Sequence, residues 1–226
     1  MNRTLIHTEN LHKQYRMSKT NVVHALRGVS LDVQEGDFTA IIGPSGGGKS
    51  TLLHILGLLD KPDNGTFILD GIDVMKMKEK EAHLVRAKKL GFIFQGFNLI
   101  PTLTALENVM QAGRYGGLNA KARKTRALEL LEQVGLHQRG NHKPNELSGG
   151  QQQRVAIARA LMNKPTIILA DEPTGELDSK TSAEIIAMLQ QLNKEHNQTF
   201  LMVTHNLDVA AMCKKVVKLV DGKNET

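Results

Sequence analysis

The chain has 226 residues, of which 40% are hydrophobic and 23% charged, a composition typical of a globular protein that forms one large domain. Its single cysteine, Cys213, excludes an internal disulfide framework. No apolar run approaches the length of about 18 residues that crosses a bilayer, so we expect no direct membrane insertion. The net charge of +6 is small and dispersed, and we expect no nucleic-acid partner.

The clearest patterns in the chain predict buried strands that alternate with helices. Short apolar runs predict strands at 38–42, 166–170 and 199–204, because strands of a parallel sheet are covered on both faces. Helical periodicity predicts helices at 50–59 and 182–193, each after one of the first two strands. This order predicts an α/β core.

The remaining regions have other patterns. Residues 4–36 and 65–75 contain alternating stretches separated by turn residues, which predicts antiparallel strands at one edge of the core. Residues 104–162 are predicted to be mostly helical, with a helix that ends at Gly135. One face of that helix carries an apolar stripe made of Ala127, Leu130, Leu131 and Val134. We therefore expect one domain with a helical insertion.

A glycine-rich segment directly follows the strand at 38–42 and matches the pattern G-x-x-x-x-G-K-[ST]. Its residues are Gly43, Pro44, Ser45, Gly46, Gly47, Gly48, Lys49, Ser50 and Thr51. Glycines let several backbone N–H groups point at one phosphate chain, and the following helix adds the positive end of its dipole. Lys49 supplies a charge for the β- and γ-phosphates, and the Ser50 hydroxyl can ligate Mg²⁺. The segment predicts a nucleoside triphosphate site.

Two acids end the predicted strand at 166–170. Asp171 would hold Mg²⁺ directly or through water, and Glu172 could polarise a water for attack on the γ-phosphate. Paired acids at a strand end are often plain surface charges. Together with the phosphate loop, however, this pair indicates nucleotide hydrolysis.

A second glycine turn precedes a predicted helix at 152–162. It contains Ser148, Gly149, Gly150 and Gln151, and a helix N-terminus of this kind can bind an anion. Two phosphate-binding helix ends in one domain leave two explanations. Either two ligands bind, or two copies of the chain sandwich each nucleotide between unlike sites.

These motifs, in this order and at this approximate spacing, resemble the nucleotide-binding subunit of an ATP-binding cassette (ABC) transporter over essentially the whole chain. The resemblance implies an α/β fold with a P-loop NTPase (RecA-like) core, an antiparallel β subdomain and an inserted α-helical subdomain. It divides a single domain, 1–226, into a core with the β subdomain at about 1–95 and 163–226 and a helical subdomain at about 96–162. It also implies an ATPase that uses ATP and Mg²⁺.

The resemblance further implies roles for individual residues. Tyr15 would stack on adenine, and Ser148, Gly149, Gly150 and Gln151 of one copy would cover the ATP in the phosphate loop of the other. Asp178 would contact the second copy. Four residues would take part in catalysis. Glu172 would be the general base and His205 would contact the γ-phosphate, and the other two are Gln95 and Lys49. Ser50, Gln95 and Asp171 would hold the metal.

Three segments, 56–62, 91–101 and 170–175, resemble one branch that includes lipoprotein-release, macrolide-efflux and cell-division ATPases. This resemblance implies a separate integral-membrane permease as partner, a second copy of the chain, and a peripheral position on the cytoplasmic face of the membrane. It implies efflux or the transmission of force, while an ATP-gated scaffold that moves no substrate stays open as the alternative. Cargo contacts would belong to the permease.

Apolar residues also follow Gln95, in a loop where they have no periodic core role. We expect Phe97, Leu99 and Ile100 to form the permease-docking surface, because apolar patches in loops often mark a partner site. The alternative is that they cap the core of the helical subdomain. Phe92 and Phe94, on the preceding strand, are expected to be core residues.

Overall fold

The computed structural model describes residues 3–16, 18 and 22–225. The strands in these residues are β1 (Thr4–Arg16), β2 (Val22–Gln34), β3 (Phe38–Ile42), β4 (Asn64–Leu69), β5 (Ile72–Asp73), β6 (Leu90–Phe94), β7 (Ile167–Asp171), β8 (Thr199–Val203), β9 (Lys215–Val220) and β10 (Lys223–Glu225). The α-helices are α1 (Lys49–Leu56), α2 (Glu79–Lys89), α3 (Ala105–Tyr115), α4 (Ala120–Gln133), α5 (Gly149–Leu161), α6 (Ser179–His196) and α7 (Leu207–Ala211). No helix in this part of the chain is long and apolar enough to cross a membrane.

The centre of the fold is a six-stranded sheet in the order β10-β9-β3-β8-β7-β6. Strand β3 pairs in parallel with β8 and β9, and β7 pairs in parallel with β8 and β6. Every residue of β8 is buried, and only the last residue of β3 and of β7 is partly exposed. These three continuous apolar runs are the strands that the sequence predicts, so the predicted α/β core is confirmed.

A second, antiparallel sheet in the order β2-β1-β4-β5 forms the predicted edge subdomain. Strands β1 and β2 each have 13 residues and shift register at several points, which explains why the sequence shows only short alternating stretches. Helix α1 lies between the two sheets. Its buried face packs with residues of both sheets, including Leu11, Phe67 and Leu201.

The helical insertion has a continuous core with the central sheet. All four residues of the predicted apolar stripe on α4 are buried, and Gly135 follows that helix with a φ of +74°. The four stripe residues belong to the same apolar cluster as Ile168 of β7 and Phe200 of β8. The sequence does not predict α2, because that helix has no fully buried residue and therefore no apolar stripe.

The loop that leads into α3 is held by a buried amide. The Oδ1 of Asn108 accepts a hydrogen bond from the Ile100 N–H at 2.7 Å. Its Nδ2 donates to the carbonyls of Ile100, Leu103 and Thr104 at 3.0–3.2 Å. One side chain therefore satisfies four backbone groups of a loop that has no strand or helix of its own.

Replacing this side chain should destabilise the protein. We expect Asn108→Ala to lower the free energy of unfolding by about 1–3 kcal/mol, because it leaves buried backbone groups without partners. Urea unfolding followed by circular dichroism measures the change. The matched control is Asn145→Ala at an exposed position, which should change stability by less than about 0.5 kcal/mol. Equal stabilities of the two variants would contradict the bracing role of Asn108.

Candidate functional site

One row of paired residues across the central sheet positions most of the predicted site. The row consists of Ile41 in β3, Val203 in β8, Asp171 in β7 and Phe94 in β6. All four strands run in parallel, so their carboxyl ends lie at the same edge. Gln95 follows β6 directly, Glu172 follows β7 directly, and His205 comes two residues after β8. Gly43, the first residue of the phosphate loop, follows β3 at the same edge.

The phosphate loop approaches neighbouring backbone too closely for side chains at two of its glycines. A Cβ on Gly43, which has a φ of +152°, would lie 1.9 Å from the carbonyl oxygen of Leu219. A Cβ on Gly48, with a φ of +94°, would lie 2.4 Å from the carbonyl oxygen of Ala25. Only glycine fits at either position. The loop backbone is thus fixed between β9 and β2 and opens outward at Pro44, Ser45 and Gly46, which are exposed.

Lys49 is the first residue of α1, and its ammonium group lies over the loop. Nζ donates hydrogen bonds to the carbonyl oxygens of Gly43 at 2.9 Å and Pro44 at 2.8 Å. A phosphate oxygen would offer this cation a stronger, charge-assisted partner at the same place. Ser50 and Thr51 follow in the first turn of α1, where backbone N–H groups have no helical acceptors. The arrangement is an anion site.

Glu172 and His205 form a hydrogen-bonded pair. A carboxylate oxygen of Glu172 lies 2.7 Å from Nδ1 of His205. The Glu172 side chain is only 17% exposed and its φ is +47°, whereas the imidazole is 71% exposed. The Glu172 N–H donates to the carbonyl of Val203 at 2.9 Å. An imidazole held through Nδ1 can present Nε2 to a further group, such as a phosphate.

Asp171 provides a carboxylate that a cation would stabilise. Burial raises the pKa of this carboxyl above its usual value, and the adjacent charge of Glu172 acts in the same direction. The positive fields of His54 and Lys49 oppose that rise. Together with the Ser50 hydroxyl and the Gln95 amide, Asp171 supplies oxygen donors of the kind Mg²⁺ prefers. Within the described residues, no group of three or more His, Cys, Asp or Glu is placed to hold a metal ion.

Gln95 and Asp178 are held by their own neighbours in this structure. Nε2 of Gln95 donates to a carboxylate oxygen of Glu176 at 3.1 Å. Asp178 caps α6, accepting from the N–H of Thr181 at 3.0 Å and from its hydroxyl at 2.6 Å. These hydrogen bonds lower the pKa of the Asp178 carboxyl.

The helix that follows the second glycine turn begins earlier in the chain than predicted. Helix α5 begins at Gly149 rather than 152, so both glycines lie in its first turn. Ser148 Oγ accepts from the Gln151 N–H at 3.3 Å, while Gln151 Oε1 accepts from the Ser148 N–H at 3.0 Å. The spacing Ser-x-x-Gln is a capping-box signal that could have placed this start. Gly150 lies against Thr181, close to the beginning of α6.

Sequence reasoning missed two residues that support the site. Asp60 accepts a hydrogen bond from the hydroxyl of Tyr15 at 2.7 Å. Arg159, on α5, donates to the carbonyls of Phe97, at 2.8 Å, and Asn98, just after Gln95. A single charge inside the apolar run 155–161 is the signal that could have revealed Arg159. Nothing in the sequence indicates the Asp60 contact.

The three residues of the expected docking surface lie in different surroundings. A groove of about 770 Å³ beside Gln95 contains Ile100 together with Phe92 and Phe94. Phe92 also packs against the apolar core, as expected. Leu99 packs against the helical core, and the ring of Phe97 lies near Gly149. Phe97 and Asn98 both have positive φ, at 59° and 50°, so side chains do not alternate regularly along the loop. The other apolar residues of the groove include Leu59, Leu84 and Tyr115.

Comparisons with known proteins agree with this geometry. The sequence model of the ABC transporter family matches residues 26–175. The chain belongs to the ABC transporter family. It is an ATP-binding cassette and an ATPase.

Individual members of the family resemble the chain closely. The lipoprotein-releasing system ATP-binding protein LolD of Bacteroides fragilis is 45% identical, over 96% of this chain and 99% of its own length. A macrolide export ATP-binding/permease protein, MacB of Syntrophobacter fumaroxidans, is 46% identical over 96% of this chain but only 31% of its own length. These names confirm the resemblance to the lipoprotein-release and macrolide-efflux branch.

A solved relative shares the whole fold. It is the cassette MJ0796 of Methanocaldococcus jannaschii, described as a dimeric post-hydrolysis state bound to ADP and Pi. The two structures superpose with a TM-score of 0.88 at 47% identity, over 98% of this chain and 97% of that one.

Lys49→Ala should weaken nucleotide binding itself. A charge-assisted contact contributes about 1.5–3 kcal/mol net, so we expect the dissociation constant for ATP to rise by about 10–150-fold. Isothermal titration calorimetry with Mg²⁺ measures it. Lys76→Ala, which removes an exposed lysine outside the loop, is the control and should leave the affinity unchanged. Unchanged ATP affinity in Lys49→Ala would contradict the assignment.

Proposed function

We propose that the chain is the ATP-hydrolysing subunit of a membrane ABC transporter. Two copies bind two ATP and Mg²⁺ between them and drive a separate permease of the efflux or force-transmitting type, from the cytoplasmic face of the membrane. The observation that carries the proposal is the single edge of the central sheet that holds Lys49, Asp171, Glu172 and His205 around one opening.

The geometry supports a division of roles at this edge. The phosphate loop and Lys49 bind the triphosphate, while Ser50, Asp171 and Gln95 would hold Mg²⁺, which neutralises phosphate charge when bound. Glu172 acts as general base on the attacking water. Its hydrogen bond to His205 orients the carboxylate, and the imidazole contacts the γ-phosphate.

The second copy supplies the other half of each site. Ser148, Gly149 and Gly150 form a helix N-terminus with backbone N–H groups for an anion, but they lie on α5 beside α6 rather than in the phosphate loop. A partner turned head to tail would bring this turn over the nucleotide. The dimeric state described for the MJ0796 cassette supports this arrangement.

The groove beside Gln95 suits a helix of the permease. Leu84 is 58% exposed, Tyr115 69% and Ile100 39%, while the rings of Phe92 and Phe94 stack with centroids 5.8 Å apart. Aromatic anchors in a groove are typical of helix-in-groove recognition. The fused relative, in which a cassette like this one makes up about a third of an ATP-binding/permease chain, supports a permease as the occupant.

The base role predicts a trapped complex. Glu172→Gln should lower ATP turnover by about 10²–10⁴-fold, because it removes the general base but keeps the phosphate contacts. Size-exclusion chromatography with ATP and Mg²⁺ should then show a stable dimer. Glu195→Gln, an exposed carboxylate far along α6, should turn over ATP like the wild type. Full turnover by Glu172→Gln would remove Glu172 from the base role, and a purely monomeric variant would contradict the ATP sandwich.

If the permease docks in the groove, a change there should remove the stimulation of turnover by the permease without changing basal turnover. Leu84→Glu places a charge among the apolar residues of the groove and should abolish the stimulation of turnover by the permease in lipid nanodiscs. Basal turnover and ATP affinity should not change, because Leu84 is exposed on α2. The permease for this test is the membrane subunit that co-purifies with the wild-type chain, identified by mass spectrometry.

Leu128→Glu is the matched control for this test. It alters another exposed leucine, on α4, that is not part of the groove, and it should keep the stimulation. If both variants keep it, the permease docks elsewhere.

A further inference from the structure

A polar cluster lies where the end of β1 meets the chain just after α1. It consists of Lys13, Tyr15, Asp60, Lys61 and Asp63, and we refer to it as the tyrosine anchor. The Tyr15 hydroxyl donates to Oδ2 of Asp60 at 2.7 Å. Oδ1 of Asp60 accepts from Nζ of Lys13 and from the backbone N–H of Lys61, both at 2.7 Å. Both oxygens of this carboxylate are therefore engaged.

The electrostatics of the anchor keep it intact across ordinary pH. Burial raises the pKa of Tyr15 to about 12, with the hydrogen bond to Asp60 and its charge adding to the rise. Burial disfavours the charged form of Asp60, but hydrogen bonds from Lys13, Tyr15 and Lys61 outweigh it and lower the pKa of this carboxyl. The phenol stays a donor and the carboxylate stays an acceptor.

The anchor is attached to the helix that begins in the phosphate loop. Three residues separate Asp60 from the end of α1, and the backbone N–H groups of Leu59 and Asp60 donate to the carbonyl of His54 in that helix, at 2.9 and 3.3 Å. Helix α1 starts at Lys49. The hydrogen bond from Tyr15 to Asp60 therefore links the aromatic ring on β1 to the element that holds the triphosphate.

Lys13 restricts how the ring is used. Its Nζ lies 5.2 Å from the centroid of the Tyr15 ring and also donates to the carbonyl of Lys61 at 2.7 Å. A second salt-bridge partner, Asp63, lies 3.8 Å away. The cation covers one ring face, so a nucleobase can stack only on the other.

We propose that Asp60 is a positioning residue, which fixes the Tyr15 ring at a set distance and angle from the phosphate loop and so lets base stacking add to triphosphate binding. This inference rests on the proposed ATP site, in which Tyr15 stacks on the base. The hydroxyl also has a side-chain hydrogen bond with Thr51, but Asp60 is the acceptor for its proton, so loss of Asp60 should loosen the orientation of the ring even though the ring itself remains.

The test compares ATP with inorganic tripolyphosphate, which has no base, by calorimetry with Mg²⁺. Tyr15→Phe keeps the ring but removes the hydroxyl, and Asp60→Ala removes the acceptor. We expect each to weaken ATP binding about tenfold and the double variant to do no more, because both break the same hydrogen bond. Asp60→Asn keeps an oxygen acceptor and should restore most of the affinity. Tripolyphosphate should bind equally well to all variants.

The controls separate this inference from the roles on which it depends. Asp32→Ala, at an exposed aspartate of β2, should leave both affinities unchanged. Tyr15→Ala should weaken ATP binding more than Tyr15→Phe does. If Tyr15→Ala binds ATP normally, Tyr15 is not the base platform and the positioning role falls with it.

Two other results would overturn the role of Asp60 alone. The first is normal ATP affinity in Asp60→Ala and Tyr15→Phe alongside a loss in Tyr15→Ala. The second is an equal loss of tripolyphosphate affinity in Asp60→Ala, which would mean that the residue only stabilises the phosphate loop. Tyr15→Phe is a conservative change, so the first comparison holds even if Asp60→Ala unfolds.

Discussion

The parallel register of β3, β8, β7 and β6 is the constraint on which the site depends. Residues that are far apart in sequence become neighbours because each follows a strand that ends in the same row. Fully buried strands such as β8 can fill this row only when both sheet faces are covered. The helices and the antiparallel sheet provide this cover, so the hydrophobic core and the position of Glu172 relative to Lys49 have one cause.

The phosphate loop adds a constraint that acts on the backbone alone. Gly43 and Gly48 approach the carbonyls of Leu219 and Ala25, which belong to two different sheets. The loop is therefore held by surrounding main chain as well as by its own turn. Its shape does not depend on side-chain rotamers, and a rigid backbone is well suited to hold several N–H groups toward one anion.

The sequence predicts those parts of the fold whose residue pattern reflects their burial. Strands β3, β7 and β8 and the stripe on α4 follow this rule, and motif spacing indicates the phosphate loop and the pair Asp171 and Glu172. Helix α2 was missed because none of its residues is fully buried. The surroundings of Phe97, Leu99 and Ile100 could not be predicted, because two consecutive positive φ values at Phe97 and Asn98 make side-chain directions irregular in this loop. Asp60 reaches Tyr15 across 45 positions, and such a contact leaves no local pattern.

Arg159 connects α5 to the turn that follows Gln95. Burial lowers the pKa of this guanidinium below its usual value, and its hydrogen bonds end on carbonyls of the turn that forms part of the groove. If the turn moved without α5, this partly buried guanidinium would lose both carbonyl acceptors, and a hydrogen bond to a charged group contributes about 1.5–3 kcal/mol. These contacts favour movement of the turn and α5 together. In the proposed complex, a displacement of the groove would therefore be passed through α5 to Ser148 at the start of that helix.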